Sequence, residues 1–172
     1  FFFFSATIIN LIIDQSAQLT INNTGLLQLS GTISNTAGTF DVTDGTLELN
    51  GSSGQTIPAN VFSTNTIKNL IISNGVSLGG ALALTGNLSF GSSSKIFTTN
   101  DNLTLKSSAT NTAAVGQVIN SNNITGAVTV ERYFSAKRAW RYLSVPTGTG
   151  QSVHQAWQEN MPQGSTIQST PA

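Results

Sequence analysis

Apolar residues recur along most of the chain in pairs whose two members are separated by a single residue. Each pair lies in a short alternating stretch that Gly, Asn or Ser terminates, and neighbouring pairs usually begin six to eight residues apart. Alternation with a period of two, punctuated by turn-forming residues, predicts short β-strands with one buried side. The pairs are Leu19/Ile21, Leu27/Leu29, Phe40/Val42, Leu47/Leu49, Leu70/Ile72, Val76/Leu78, Leu82/Leu84, Leu88/Phe90 and Leu103/Leu105.

One short sequence, the repeated phrase, contains a predicted strand and recurs at an interval of about 20 residues. The segment Gly25–Gly31 returns as Gly45–Gly51, and weaker copies follow at Gly86–Gly91 and Asn102–Leu105. Three short strands fit into about 20 residues, which is the length of one coil of a three-sided solenoid. An antiparallel sandwich also has short strands, but its turns recur at wider spacing than is seen here. The sequence therefore predicts an all-β fold, a right-handed parallel β-helix, with the sandwich as the alternative.

Composition and charge argue against several classes of protein and site. Only 8% of the residues are charged and the formal net charge is zero, whereas a typical globular protein has about 25% charged residues. Ser, Thr, Asn and Gly make up nearly half of the chain, but the regular spacing of Leu, Ile, Val and Phe argues against disorder. Nucleic-acid binding needs a basic surface, and residues 1–67 contain neither Lys nor Arg. The absence of Cys excludes disulfides and thiolate metal sites.

The N-terminal segment is strongly apolar and begins with Phe1, Phe2, Phe3 and Phe4. It lacks the basic region of a signal peptide and is too short to cross a bilayer, so no membrane span is predicted. Four consecutive exposed Phe residues would promote aggregation. We therefore expect this end to be covered, either by the first coil or by a neighbouring molecule.

Residues 52–66 interrupt the repeat. They contain Pro58, which cannot donate a hydrogen bond to a strand ladder. The segment is therefore expected either to bulge from one corner or to form a widened turn. In the second case Ile57, Val61 and Phe62 would pack back on the core.

A change of composition predicts a boundary near residue 126. Both Trp residues, both Tyr residues and the single His lie beyond residue 130, together with a cluster of charged residues. We predict a parallel β-helix over residues 1–126. Residues 127–172 are then a C-terminal β segment, a cap on the last coil, or the start of a second β domain.

Five segments are similar to a known group of proteins in their sequences and in their order along the chain. They are Gly45–Gly51, Gln55–Pro58, Lys68–Gly80, Val128–Tyr133 and Arg138–Pro146. In these segments the chain resembles the large repetitive surface proteins of Bacteroidetes, most of which are exported by the type IX secretion route. The resemblance implies a secreted or cell-surface protein with a role in attachment, adhesion or a fibre, and it implies no catalytic residue. It also implies that the chain is a fragment or a processed subunit of a longer protein.

The densest group of carboxylates consists of Asp41, Asp44 and Glu48. On a β-helix, clustered carboxylates can act as acid and base on a polysaccharide, and oxygen ligands of this kind can bind calcium. The Asp44-Gly45 sequence favours turn carboxylates instead. His154 has no second His or Cys beside it for a metal site, and no nucleophile elbow surrounds Ser152. We therefore predict a protein that is not an enzyme and has no cofactor, with calcium as the one alternative.

The sequence thus predicts an extracellular structural protein, a subunit of a bacterial surface filament. A solenoid has two ends with unpaired strand edges, and a contact between unlike ends that does not close gives a filament. One alternative is an adhesin segment that binds a glycan or a host protein, at residues 52–66 or at basic and aromatic residues between 132 and 142. A polysaccharide-active enzyme is less favoured. The predicted head-to-tail interface consists of Phe1, Phe2, Phe3, Phe4, Ile8, Ile9, Leu11, Arg132, Tyr133, Arg138, Trp140, Arg141 and Trp157.

Overall fold

A computed structural model describes residues 5–135 of the chain. Over this range the protein is all-β, without an α-helix, and its strands stack into a β-solenoid of about six coils that are about 21 residues apart. The predicted β-helix is confirmed, and the sandwich is excluded because the paired strands all run parallel. The strands are, in chain order, β1 (Ser5–Ile8), β2 (Leu11–Ile13), β3 (Gln18–Thr20), β4 (Leu26–Leu29), β5 (Ile33–Asn35), β6 (Thr39–Leu49), β7 (Gln55–Ile57), β8 (Thr66–Ile72), β9 (Val76–Leu78), β10 (Leu82–Leu84), β11 (Asn87–Phe90), β12 (Ile96–Thr98), β13 (Leu103–Leu105), β14 (Ala114–Val115), β15 (Asn123–Thr125) and β16 (Val128–Val130).

The strands form three faces. Face 1 consists of β1, β4, the second half of β6, the second half of β8, β11 and β14. Face 2 consists of β2 and β5, followed by β7, β9, β12 and β15. Face 3 consists of β3, the first half of β6, the start of β8, β10, β13 and β16. The first coil contains β1 to β3 and the last described coil contains β14 to β16, so both follow the same order of faces.

Alternation of inward and outward side chains builds the core. Inward residues of successive coils stack in columns, as on face 1, where Leu47 lies between Leu27 and Leu70. Burial of each apolar column supplies the main stabilisation of a fold whose coils contact only their neighbours. The predicted apolar pairs account for most of this core, and their buried members are Ile21, Leu27, Leu29, Phe40, Val42, Leu47, Leu49, Leu70, Ile72, Val76, Leu78, Leu82, Leu84, Leu88, Leu103 and Leu105.

The repeated phrase occupies equivalent positions in neighbouring coils. Gly25–Gly31 and Gly45–Gly51 stack because β4 pairs with the second half of β6. The copy at Gly86–Gly91 contains β11, which continues the same face. The segment Asn102–Leu105 does not, because it forms β13 on face 3, paired with β10. The interpretation of this segment as a further copy is wrong, since the same short alternation suits a strand on any of the three faces.

Residues 52–66 form part of the coil wall and do not bulge. Gln55–Ile57 is strand β7, and at the corner that follows Val61 and Phe62 turn into the core. The ring centroid of Phe62 lies 5.1 Å from that of Phe40, a distance typical of packed aromatic pairs. The prediction of a widened turn is therefore the correct one, and the segment offers no projecting loop to a ligand.

The ladder of face 2 is interrupted between β5 and β7, which belong to different sheets. The buried side chain of Gln55 bridges this gap. Its Nε2 atom donates hydrogen bonds to the carbonyl oxygens of Leu29 at 3.0 Å and Gly31 at 2.8 Å, and its Oε1 atom accepts one from the Gly51 N–H at 2.8 Å. A buried amide with three partners replaces the missing ladder bonds at this level.

The last described strand of the solenoid lies beyond the predicted boundary at residue 126. Strand β16 pairs in parallel with β13 and belongs to the same sheet, and the compact unit that contains the solenoid ends at Ser135. Strands β15 and β16 of one coil thus lie on either side of residue 126.

Candidate functional site

The three clustered carboxylates have separate partners. Asp41 accepts hydrogen bonds from the backbone N–H and the hydroxyl of Thr43, at 2.8 Å and 2.6 Å. The Asp44 carboxylate lies 2.7 Å from the ammonium nitrogen of Lys68, and Glu48 belongs to a column on face 1. Over residues 5–135, no group of three or more potential metal-ligating side chains is present. The arrangement therefore fits turn and inter-coil contacts better than an acid–base pair or a calcium site.

Polar side chains on the outside of face 1 form a hydrogen-bonded column across four coils. Thr7 donates to Gln28 at 2.8 Å, Gln28 donates to Glu48 at 2.8 Å, and Ser73 donates to the other carboxylate oxygen of Glu48 at 2.6 Å. Each bond joins side chains about one coil apart, and cross-strand pairs of this kind stabilise parallel stacking. Glu48 is therefore a structural residue of the wall.

A second outer column, of hydroxyl groups, lies on face 2. Its members occupy matching positions in four successive coils, and the first two hydroxyl oxygens are 3.0 Å apart. Sequence inspection finds no regular Thr-x-Thr pattern because each coil contributes a single hydroxyl, at intervals that depend on the length of each corner. The column consists of Thr56, Ser77, Thr98 and Thr125.

The two ion pairs of the described range both join neighbouring coils. Lys68 contacts Asp44, and Lys106 contacts Glu131, each at 2.7 Å and both on the exposed surface. The hydrogen bond from Lys68, a bond from the backbone N–H of Asn23 and the charge of Lys68 hold the pKa of Asp44 below its ordinary value of 3.8. Surface ion pairs of this kind individually contribute little to the stability of a protein. These two pairs therefore add a small stabilisation to the stacked coils and do not form a reactive centre.

We predict a pH dependence that follows from the lowered pKa of Asp44. A carboxyl whose pKa is lower in the folded state than in the unfolded chain stabilises the fold above the unfolded value, and this contribution disappears as pH falls through the folded value. The denaturation midpoint should therefore drop between neutral pH and a pH below 3.8, and it should drop less in Lys68→Met. The measurement is chemical denaturation followed by circular dichroism at the two pH values.

Lys95→Met is the matched control for this prediction, because no ion pair of Lys95 is present within residues 5–135. This variant should keep the pH dependence of the wild type. Equal pH dependence in the wild type and Lys68→Met would contradict the assignment of the effect to the Asp44 pair.

The first coil leaves apolar residues uncovered. The side chains of Ala6, Ile8, Leu11 and Leu19 pack against the core but stay half-buried. Ile9 is 71% exposed beside them. Strands β1, β2 and β3 each have a single strand neighbour among the described residues. The outer edge of this coil thus combines apolar side chains with strand edges that can accept a further strand.

The last described coil has the same character. Ile124, Val128 and Val130 pack against the core and are half-buried, and Val115 is 39% exposed. Among residues 5–135, strands β14, β15 and β16 each pair with one strand, on the side of the preceding coil. No charged residue occurs over residues 107–130. The charges nearest this edge directly follow β16, and they are Glu131, which is paired with Lys106, and Arg132.

The structure brings some of the predicted interface residues to these edges. Ile8, Ile9 and Leu11 belong to the first coil. Arg132 and Tyr133 follow β16: Arg132 Nη1 donates to the carbonyl oxygen of Glu131 at 2.8 Å, and the Tyr133 N–H donates to the Ser107 hydroxyl at 3.0 Å. The predicted residues outside the described range are Phe1, Phe2, Phe3, Phe4, Arg138, Trp140, Arg141 and Trp157, and the same holds for Ser152 and His154.

Sequence reasoning missed the inward residues of the last coil. Val128 and Val130 form an apolar pair with one residue between them, which is the signal that identified the other strands. They lie beyond the boundary that the change of composition predicts near residue 126, so that prediction places them in the segment after the β-helix. Val128 and Val130 are the last apolar pair of the repeat, and this position is the signal that identifies them as residues of the last described coil.

Two shallow clefts occur in the described part of the chain. One has a volume of about 280 Å³ and contains the ion pair of Lys106 and Glu131. The other, of about 310 Å³, lies between β5 and β7 and is lined in part by Gln55 and Pro58. Both are open surface features. The two charged groups of the first pair with each other, and the Gln55 amide of the second binds backbone groups.

Comparison with family models, with curated proteins and with solved structures gives no match to the chain. Among residues 5–135, no helix is long and apolar enough to cross a membrane. The fold and the geometry of the two end coils are therefore the evidence on which a function must be argued.

Proposed function

We propose that this chain is an extracellular structural protein whose copies join head to tail into a bacterial surface filament. One observation carries the proposal. Both end coils leave several inward apolar side chains half-buried, although Ile13 and Ile21 of the first coil are buried. The column partners in the middle coils, such as Leu47 and Leu84, are inaccessible. Apolar surface beside unpaired strand edges is an arrangement that proteins cover with another element or another chain.

The two ends suit each other as partners. Their strands follow the same order of faces, and both present apolar residues toward the axis of the solenoid. Asp14 is the one charged residue of residues 5–21, and residues 107–130 carry none. A contact between them therefore buries apolar area with little charge to desolvate.

Geometry then favours an open polymer. The first and last coils are unlike surfaces, so their contact is heterologous, and each added copy leaves one free end of each kind. Such a contact produces a filament whenever the rotation between copies does not close into a ring. The extracellular bacterial location rests on the low charge and on the resemblance to repetitive Bacteroidetes surface proteins.

The test is electron microscopy of the purified chain at near-physiological salt, combined with sedimentation at several protein concentrations. We expect filaments with a regular subunit repeat and a sedimentation coefficient that increases with concentration. Dispersed monomeric rods at every concentration would refute the proposal. In that case a glycan array would test the adhesin alternative.

A further inference from the structure

The inward and outward columns of face 3 show which residues lie opposite each other in neighbouring coils. Leu19 lies beside Phe40 at the start of the face, and Leu103 lies beside Val128 at its end. Between these strand pairs every step stacks an inward residue on an inward residue and an outward residue on an outward one. The outward neighbours are Thr20 in β3 and Thr129 in β16.

We infer that a second copy continues these columns, so that β16 of one copy pairs in parallel with β3 of the next. In this register Thr129 lies opposite Thr20, and the flanking Val128 and Val130 lie opposite Leu19 and Ile21. The inference rests on the proposed head-to-tail assembly and specifies its interface. Ile21 is already buried within its own copy, and the half-buried Leu19, Val128 and Val130 would become inner residues of a continuous core.

Face 1 supports the same register independently. Its inward column begins at Ala6, which lies beside Leu27, and ends at Val115, which lies beside Leu88. Continuing this column places Val115 opposite Ala6 of the next copy. Faces 1 and 3 therefore agree on one placement, in which each face stacks on itself.

A placement rotated by one face is the alternative. It would put β16 on β1, with Thr129 opposite Thr7. On faces 1 and 3 every step between the described coils stacks a face on itself. A rotated copy would instead pair a strand of face 3 with a strand of face 1, which no strand pair between the described coils does.

Cysteine crosslinking tests this register in the chain of 172 residues, which contains no Cys. Neighbouring strands are about 4.8 Å apart, which is within the usual Cα separation of a disulfide. The double variant Thr20→Cys with Thr129→Cys should give a ladder of disulfide-linked multimers on mild oxidation. The matched control, Thr7→Cys with Thr129→Cys, should give none, because only the rotated placement brings these two residues together.

The outcomes separate this inference from the function on which it rests. Filaments together with a multimer ladder in the first variant alone support the register. Filaments with a ladder in the control, or with no ladder in either variant, overturn the register and leave head-to-tail assembly intact. A wild type that forms no filaments removes the proposed function and the register with it.

Discussion

Replacement of Ile72 with alanine is expected to lower the free energy of unfolding by about 2–5 kcal/mol, the usual cost of removing a large apolar side chain from a packed core. Ile72 has no accessible surface. It lies on face 1 between Leu49 of the coil before and Phe90 of the coil after. The truncation leaves a cavity against both neighbours, and strands held by ladders on either side cannot collapse to fill it. The measurement is guanidinium denaturation followed by circular dichroism.

Ile12→Ala is the matched control, because it removes the same atoms from a site in β2 that is 66% exposed. We expect its stability to stay within about 0.5 kcal/mol of the wild type. Equal losses in the two variants would show that the inward and outward positions have been assigned incorrectly. In a stack whose coils contact only their neighbours, unfolding can occur in several steps, so the comparison uses the transition of the middle coils.

The strands themselves could be predicted from the sequence because each needs only local alternation. Leu27 and Leu29 identify one strand, and the same spacing at Leu47 and Leu49 identifies its neighbour, since both phrases end in a glycine turn. Parallel stacking follows because the whole repeated sequence recurs after about the length of one coil. Local pattern and long-range pairing agree here, which is the condition for a reliable inference.

The contacts between coils could not be predicted because the corners differ in length. Leu47 pairs with Leu70, and Leu70 pairs with Leu88, so a long coil is followed by a short one. An error of one residue in register moves a side chain to the opposite side of the wall. The hydrogen bonds from Gln28 and Ser73 to Glu48 therefore depend on corner geometry that no fixed repeat length supplies.

The candidate site was predicted in part. Ile8, Ile9 and Leu11 follow from the strongly apolar character of the N-terminal segment. The partners at the other end, Val128 and Val130, lie directly before a cluster of charged residues, and the boundary predicted near residue 126 separates them from the β-helix. Whether an apolar pair ends a column depends on what stacks beyond it, and the sequence of the pair does not contain that information.

Val130→Lys is expected to abolish filament formation and to leave the solenoid folded. In the isolated chain Val130 is half-buried at the edge of the last coil, so a lysine can extend its ammonium group into solvent. In the proposed junction the same ammonium would be enclosed among apolar side chains without a partner. An uncompensated buried charge costs about 3–5 kcal/mol, which weakens each contact by at least about a hundredfold.

Sedimentation across a range of concentrations measures this loss, and circular dichroism shows whether the strands remain. Deleting residues 1–13 is a poorer test, because it removes β1 and β2 and uncovers the apolar column of Leu27 and Leu29 in the next coil. Ala83→Lys is the better control, since it places the same charge outward on face 3 in a middle coil and should leave filaments unchanged. Filaments of Val130→Lys that form at the wild-type concentration would place the junction elsewhere.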